Sequence, residues 1–185
     1  MRAAVGDNGA MKQQDEVDRI LADWRSARPD LDLAPLSVFS RMTRITKHLD
    51  KARARAFERS GLASWEFDVL AVLRRGGDPF RQSPKVLVQQ TMVSSGTMTN
   101  RIDRMATRGL VRRLTDPNDG RGVLVEMTEQ GRTLVDAAMT RLSDSEEQLL
   151  GGVPRSERER LAALLRKLAL SVDRFEPTSD EPLEG

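Results

Sequence analysis

Residues 94–131 read SSGTMTNRIDRMATRGLVRRLTDPNDGRGVLVEMTEQG, and the periodicity of this stretch changes once, near its middle. Either Ser94 or Ser95 can cap a helix. Beyond them Met98, Ile102 and Met105 fall on one face at about 100° per residue. Gly109 suits the position just past that helix, where a left-handed backbone favours glycine. The chain then becomes β-branched and apolar over Leu110–Thr115 and again over Val123–Met127. Between these runs lies Asp116-Pro117-Asn118-Asp119-Gly120, a strong turn signal, so the stretch predicts a two-stranded hairpin. Thr128 caps a long helix running to about Leu150.

Upstream, Ser83 followed by Pro84 opens a short helix to about Gln90. Ser64 is expected to cap a helix through about Arg75, with Trp65, Val69, Leu70, Val72 and Leu73 turned inward, and Gly76-Gly77-Asp78-Pro79 forms a loop after it. A longer helix fits Ala34–Ser60, with Pro35 in its first turn and Gly61 just beyond its end. A first short helix fits Glu16–Ala27, with Val17, Ile20, Leu21 and Trp24 on one face and Pro29 ending it. Downstream, Gly151-Gly152 break the chain before a last helix over Pro154–Arg174. Residues 1–14 and 175–185 are polar and are expected to be disordered tails.

A short helix, a turn, a second helix and a hairpin make a winged helix-turn-helix. The fold class is therefore mostly α with a small β-hairpin wing. N-terminal helices occupy residues 15–60, the winged helix-turn-helix 61–127, and the C-terminal helices 128–174.

Composition narrows the function. The chain of 185 residues suits one domain with extensions and is long enough to build a core. It has no cysteine and a single histidine, His48. Thiolate metal sites, a thiol nucleophile and a multi-histidine site are thereby excluded, and a Ser-His-Asp enzyme is disfavoured. Nucleotide-loop, nucleophile-elbow and zinc-protease patterns are also missing, so no enzyme, cofactor or metal is expected. No run of about 20 apolar residues exists to span a membrane, and the first residues lack a signal peptide, so a cytoplasmic protein is expected.

The net charge is only +2, but it is unevenly spread. Residues 1–125 hold 22 Lys and Arg against 15 Asp and Glu, whereas residues 126–185 hold 8 against 13. Such asymmetry suits a chain whose N-terminal part meets a polyanion. On the helix that starts near Ser95, Thr97, Arg101, Arg104 and Arg108 share a second face, and Ser94, Ser95, Thr97, Thr99 and Asn100 crowd the N-terminus, where a recognition helix meets base edges and phosphates. Arg112, Arg113 and Arg121 lie on or near the hairpin, whose tip could enter a minor groove. An arginine stripe is also what an ordinary solvated helix face looks like. The order of elements favours double-stranded DNA.

The runs SSGTMTNRIDR (94–104), RGLVRR (108–113), DPND (116–119) with Arg121, and LVEMTEQG (124–131) resemble the MarR family of transcriptional regulators over about residues 34–172. One departure is Gly120, which stands where the family usually has the first of two paired wing arginines. The resemblance implies a homodimer built from the N- and C-terminal helices, with two recognition helices about 34 Å apart reading a pseudo-palindrome. Leu161, Leu164, Leu165, Leu168 and Leu170 of the last helix fit this independently, since one small lobe could not cover them all. An intramolecular core helix is the alternative from periodicity alone.

The segment WRSARPDLDL (24–33) resembles the urate-responsive branch of that family and its trans-aconitate- and citrate-responsive relatives. The resemblance implies a pocket for a small organic anion formed by Trp24, Asp68, Arg101 and Arg113. Two guanidiniums suit an anion, and the resemblance implies that Asp68 pairs with Arg101 until the ligand competes for it. Each residue has a plainer reading: Trp24 as a packing anchor, Asp68 as a surface acid, Arg101 and Arg113 as DNA contacts. The expectation is a ligand-responsive repressor. A ligand-blind DNA-binding protein of the same fold is the alternative.

Overall fold

Asp15 opens the first helix, α1 (Glu16–Ala27), with a capping box in which its carboxylate accepts from the Asp18 backbone N–H and Asp18 returns the favour to Asp15. This computed structural model describes residues 14–117 and 119–174, and the side chains of residues 119–121 lie outside the description. The tails expected at 1–14 and 175–185 thus lie outside the described residues, Gln14 excepted.

Helix α2 (Ala34–Glu58) has Pro35 in its first turn and winds down through Ser60 into Gly61, whose φ is +73°. Helix α3 spans Ser64–Arg75. Its cap corrects the sequence reading. Ala63, not Ser64, is the N-cap; it has no side-chain oxygen to give the first turn, and its own N–H is taken by Glu66, which accepts at 2.9 Å. Helix α4 (Pro84–Thr91) is capped by Ser83, and α5 (Ser95–Thr107) by Ser94. Between them Met92 takes the left-handed conformation at φ 53° and makes the turn of the helix-turn-helix.

Three strands follow a different plan from the expected hairpin. The strands β2 (Val111–Asp116) and β3 (Asp119–Met127) do pair as the sequence predicts, but β1 (Arg81–Gln82) adds to the other edge of β3, giving the antiparallel order β1-β3-β2. Arg81 and Arg112 both lie opposite Glu126 in this register. Helix α6 (Glu129–Leu149), capped by Thr128, and α7 (Arg155–Val172) complete the chain, with a 3-10 turn at Leu150–Gly152 where the glycines were read as a break.

One core joins α3, α4, α5, the sheet, the end of α2 and the first two-thirds of α6. Phe57 and Phe67 stack with ring centroids 4.0 Å apart. Leu70, Leu73, Leu87, Met105 and Leu110 are fully buried around them. Helix α6 approaches so closely at Gly131 that an added Cβ would lie 2.3 Å from the Leu110 carbonyl oxygen, which only glycine permits. Helix α1 buries Val17 and Leu21, whereas α7 buries none of its side chains.

Candidate nucleic-acid interface and effector site

Helix α5 owes its position to the apolar face read from the sequence: Met98, Ile102 and Met105 are at most 1% exposed. Burial of three such side chains stabilises the helix against the core by roughly 1.5–3 kcal/mol each. The helix ends in a tight C-terminal motif, with the Gly109 N–H donating to Ala106 O and the Leu110 N–H to Met105 O, and Gly109 at φ +70°. Two arginines of the opposite face are thereby aimed away from the core.

The N-terminus of α5 is where the sequence placed the DNA-reading residues, and all of them are exposed there. Ser94 is the cap: its Oγ accepts from the Thr97 N–H at 3.2 Å and lies 2.9 Å from Thr97 Oγ1. Thr99 donates to the Ser95 carbonyl. Ser94 and Thr99 therefore spend part of their hydrogen-bonding capacity on the helix itself. Ser95 and Asn100 have no such local engagement among the described residues. Arg121 was expected to reach DNA from the wing; its side chain lies outside the described residues.

The arginine row divides by function. Arg108 turns inward, with one guanidinium nitrogen on the buried carboxylate of Glu66 and another donating to the Gly61 carbonyl at 2.8 Å. It clamps the recognition helix to the α2–α3 turn. Arg112 and Arg81 converge on Glu126, whose side chain is 7% exposed. Burial opposes the Glu126 charge, but hydrogen bonds from Arg81 and Arg112 outweigh it and hold the carboxyl below the ordinary glutamate range. Arg101 and Arg104, by contrast, make no ion pair among the described residues. Their guanidinium carbons sit 5.6 and 5.0 Å from the Trp65 ring centroid, over an open hollow of about 470 Å³ bounded also by Gly96, Thr97 and Asn100.

Among the described residues no hydrogen bond, ion pair or ring contact joins any two of the four residues expected to bind a ligand, although Arg101 lies near enough to attract the Asp68 carboxylate. Arg113 is held by Asp103 at 2.6 Å, a partner on α5 that the sequence reading did not name. No ion pair joins Asp68 to Arg101. Partial burial raises the Asp68 carboxyl above its ordinary value, and attraction from Arg101, Arg53 and Arg75 opposes this rise without cancelling it. Trp24 lies 47% exposed on α1, beside a shallow hollow lined by Ile20, Asp23 and Ala27. No ring contact, hydrogen bond or ion pair links it to Asp68, Arg101 or Arg113 among the described residues. His48 is exposed, lining an open cleft between α1 and α2 with Arg44, Lys47 and Lys51.

Trp65, Glu66, Asp103 and Glu126 are the residues that sequence reasoning missed. Trp65 was read as an inward residue; it is half-buried and offers its ring to α5. The signals for Glu66 and Glu126 existed, since each is an acid flanked by apolar residues in a regular element, and a buried acid implies a cationic partner.

A winged helix with a capped recognition helix, exposed polar residues at its N-terminus and unpaired arginines along it defines a DNA-binding transcriptional regulator, not an enzyme. The family model described as "MarR family" matches residues 60–122. The chain is 34% identical over 153 residues to the HTH-type transcriptional regulator PecS of Dickeya dadantii, an alignment covering 83% of this chain and 92% of that one. The chain belongs to the MarR family. Among solved structures, a mutant MarR from E. coli complexed with operator DNA matches at TM-score 0.60 and 25% identity, covering 78% of this chain and 96% of that one. Bordetella bronchiseptica BpsR, whose DNA binding is regulated by 6-hydroxynicotinic acid, matches at TM-score 0.60 and 29% identity, covering 71% and 92%.

Proposed function

We propose that the protein is a homodimeric repressor that reads a pseudo-palindromic DNA site and is released from it by a small organic anion of the urate, trans-aconitate or citrate class. The observation that carries the DNA reading is the exposed polar face of α5, where Ser95, Thr97, Thr99 and Asn100 face solvent just beyond the Ser94 cap and Arg104 does so in the last turn. Arg104 is suited to guanine edges or phosphate, and Arg121 at the wing to the backbone or the minor groove. Dimerisation is supported by the apolar side chains that one protomer leaves uncovered at both ends: Val38, Phe39 and Ile45 on α2, and Leu161, Leu164, Leu165 and Leu170 on α7.

The effector reading rests on charge. Arg101 is unpaired, attracted by a partly desolvated Asp68, and lies on the recognition helix itself. An anion that captures Arg101, with Arg113 as second donor and Trp24 as a flat wall, would strengthen the repulsion felt by Asp68 and shift α5. Linkage then requires that DNA weaken anion binding by the same factor as the anion weakens DNA binding. The regulation of BpsR by 6-hydroxynicotinic acid supports a planar anion as the effector class. Because no contact joins Trp24 to the other three among the described residues, the pocket as proposed is completed by motion of α1 or by the second copy.

The test is fluorescence anisotropy on DNA from the region upstream of the protein's own gene, alone and with urate, trans-aconitate or citrate at millimolar concentration. Tight binding relieved by one anion is the expected result. Tight binding that none relieves keeps the DNA-binding function and removes the pocket of Trp24, Asp68, Arg101 and Arg113.

A further inference from the structure

We infer that Trp65 is a positioning residue for DNA recognition: its indole is a platform that holds the guanidiniums of Arg101 and Arg104 in the orientation in which Arg104 meets DNA. The inference rests on the reading of Arg104 as a DNA contact and adds the residue that prepares it.

Two arginines one helical turn apart share a single indole, at 5.6 and 5.0 Å from its centroid. A guanidinium stacked by its face on an aromatic ring keeps its N–H donors free, because they radiate in the guanidinium plane. An ion pair would hold the same side chain but would consume those donors. The contrast is visible at the end of the same helix, where Arg108 is neutralised by Glu66 and donates to the Gly61 carbonyl, with a donor on each terminal nitrogen spent inside the protein. Arg104 instead lies 5.0 Å from the indole centroid and spends no side-chain donor on a hydrogen bond or ion pair among the described residues.

The platform is itself fixed. Trp65 sits one residue from the N-terminus of α3, between Ala63, whose N–H is capped by Glu66, and Glu66, which is 1% exposed and gripped by Arg108. The Glu66–Arg108 pair therefore ties the first turn of α3 to the end of α5, and the ring to the helix it serves. Trp65 also packs against the edge of the core, so the ring has little freedom to follow a wandering arginine. Ordering a long side chain before binding removes part of the entropic cost of association.

The experiment is a double-mutant cycle on a duplex selected in vitro for the wild-type protein, read by anisotropy at fixed salt. Trp65→Leu keeps apolar bulk and removes the ring, and Trp65→Phe keeps a ring. Arg104→Ala should weaken binding by about tenfold in the wild-type background. Trp65→Leu should weaken it by about three- to tenfold, and Trp65→Phe by no more than about twofold. In the Trp65→Leu background, Arg104→Ala should cost less than in wild type, since its platform is already gone. In a Trp24→Phe background the remaining indole reports directly, and Arg104→Ala should change its emission in the free protein.

Effects of Trp65→Leu and Arg104→Ala that simply multiply would overturn the platform while leaving Arg104 as a DNA contact. Trp65→Phe as damaging as Trp65→Leu, with a matching fall in Tm, would reduce Trp65 to core packing. Unchanged affinity in Arg104→Ala would overturn the DNA reading of Arg104 and this inference with it.

Discussion

The middle of the chain and its two ends differ in how much apolar surface one protomer covers. From Ala56 to Leu142 the protein closes on itself around an apolar core, and its buried charges, Glu66 and Glu126, each find arginines. At the ends less apolar surface is covered: α1 buries only Val17 and Leu21, α7 buries no side chain, and ion pairs add to the attachment. Helix α1 is bound to α2 by Arg41, which reaches Asp15 and Asp18 at 2.7 Å, and by Arg44 on Glu16. Helix α7 is bound to α6 by Arg158, which grips Glu147 and the carbonyls of Leu150 and Val153. Exposed ion pairs of this kind contribute about 0–1 kcal/mol each. Meanwhile Leu161, Leu164, Leu165 and Leu170 of α7 and Val38, Phe39 and Ile45 of α2 stay open to solvent. The middle covers its apolar side chains within one chain; the ends leave theirs uncovered in the protomer.

The comparison breaks most visibly in the core. Leu73, fully buried, should cost about 2–5 kcal/mol when changed to Ala, a loss of stability that thermal unfolding would show at any protein concentration. The same truncation at Leu170, 52% exposed in the protomer, should leave the stability of a dissociated protomer within about 0.5 kcal/mol of wild type. Equal losses at both sites would mean that α7 belongs to the protomer core after all.

The ends are tested next by charge. Leu164→Glu with Leu165→Glu should leave the middle folded but convert a dimer to monomers in sedimentation. Operator affinity should fall by about a hundredfold or more, because two linked half-sites become two separate binding events. A double variant that still sediments as a dimer would place the interface elsewhere.

Within the middle, Glu126 offers a smaller and pH-dependent effect. Its carboxyl is held below the ordinary glutamate range when folded, so its contribution is present above that range and is lost as pH falls through the folded value. Glu126→Gln should cost about 1–3 kcal/mol at neutral pH, since charged hydrogen bonds to Arg81 and Arg112 are lost. It should also flatten the acid limb of the stability curve. An unchanged acid limb would show that the two arginines, both partly exposed, are resolvated without penalty.

Legibility in the sequence followed the range of the interaction. Caps at Ser83, Ser94 and Thr128 and the glycines at Gly61 and Gly109 act within a few residues, and the helices begin and end at or near them. The pair Arg81-Gln82 is too short to show a period, and it is a strand only because Glu126 and Val125 lie beside it. Ser64 lost its expected role because Glu66, a turn away, could serve Ala63 instead. The faces of α5 were readable from spacing, but which arginine points outward was not. Arg104 and Arg108 differ by a single turn, and what separates them is an acid buried on another helix. The candidate ligand residues were legible as types and not as a cluster, because they lie on α1, α3, α5 and β2 and spacing along the chain does not say how those elements meet.

The smallest expected effect on stability falls on the pair that decides what Arg113 is for. Arg113 and Asp103 are 43% and 61% exposed, so Asp103→Asn should change stability by less than about 1 kcal/mol. Its consequences for binding are larger, because it releases a guanidinium on β2 next to the recognition helix. If Arg113 serves an anion, that anion no longer competes with Asp103, and DNA release should need several-fold less urate, trans-aconitate or citrate. If Arg113 instead serves DNA, the freed charge finds phosphate, and the slope of log K against log salt should steepen by about one. The two roles predict changes in different measurements on one variant. A variant that moves neither leaves the Asp103–Arg113 pair as a strut between α5 and the wing.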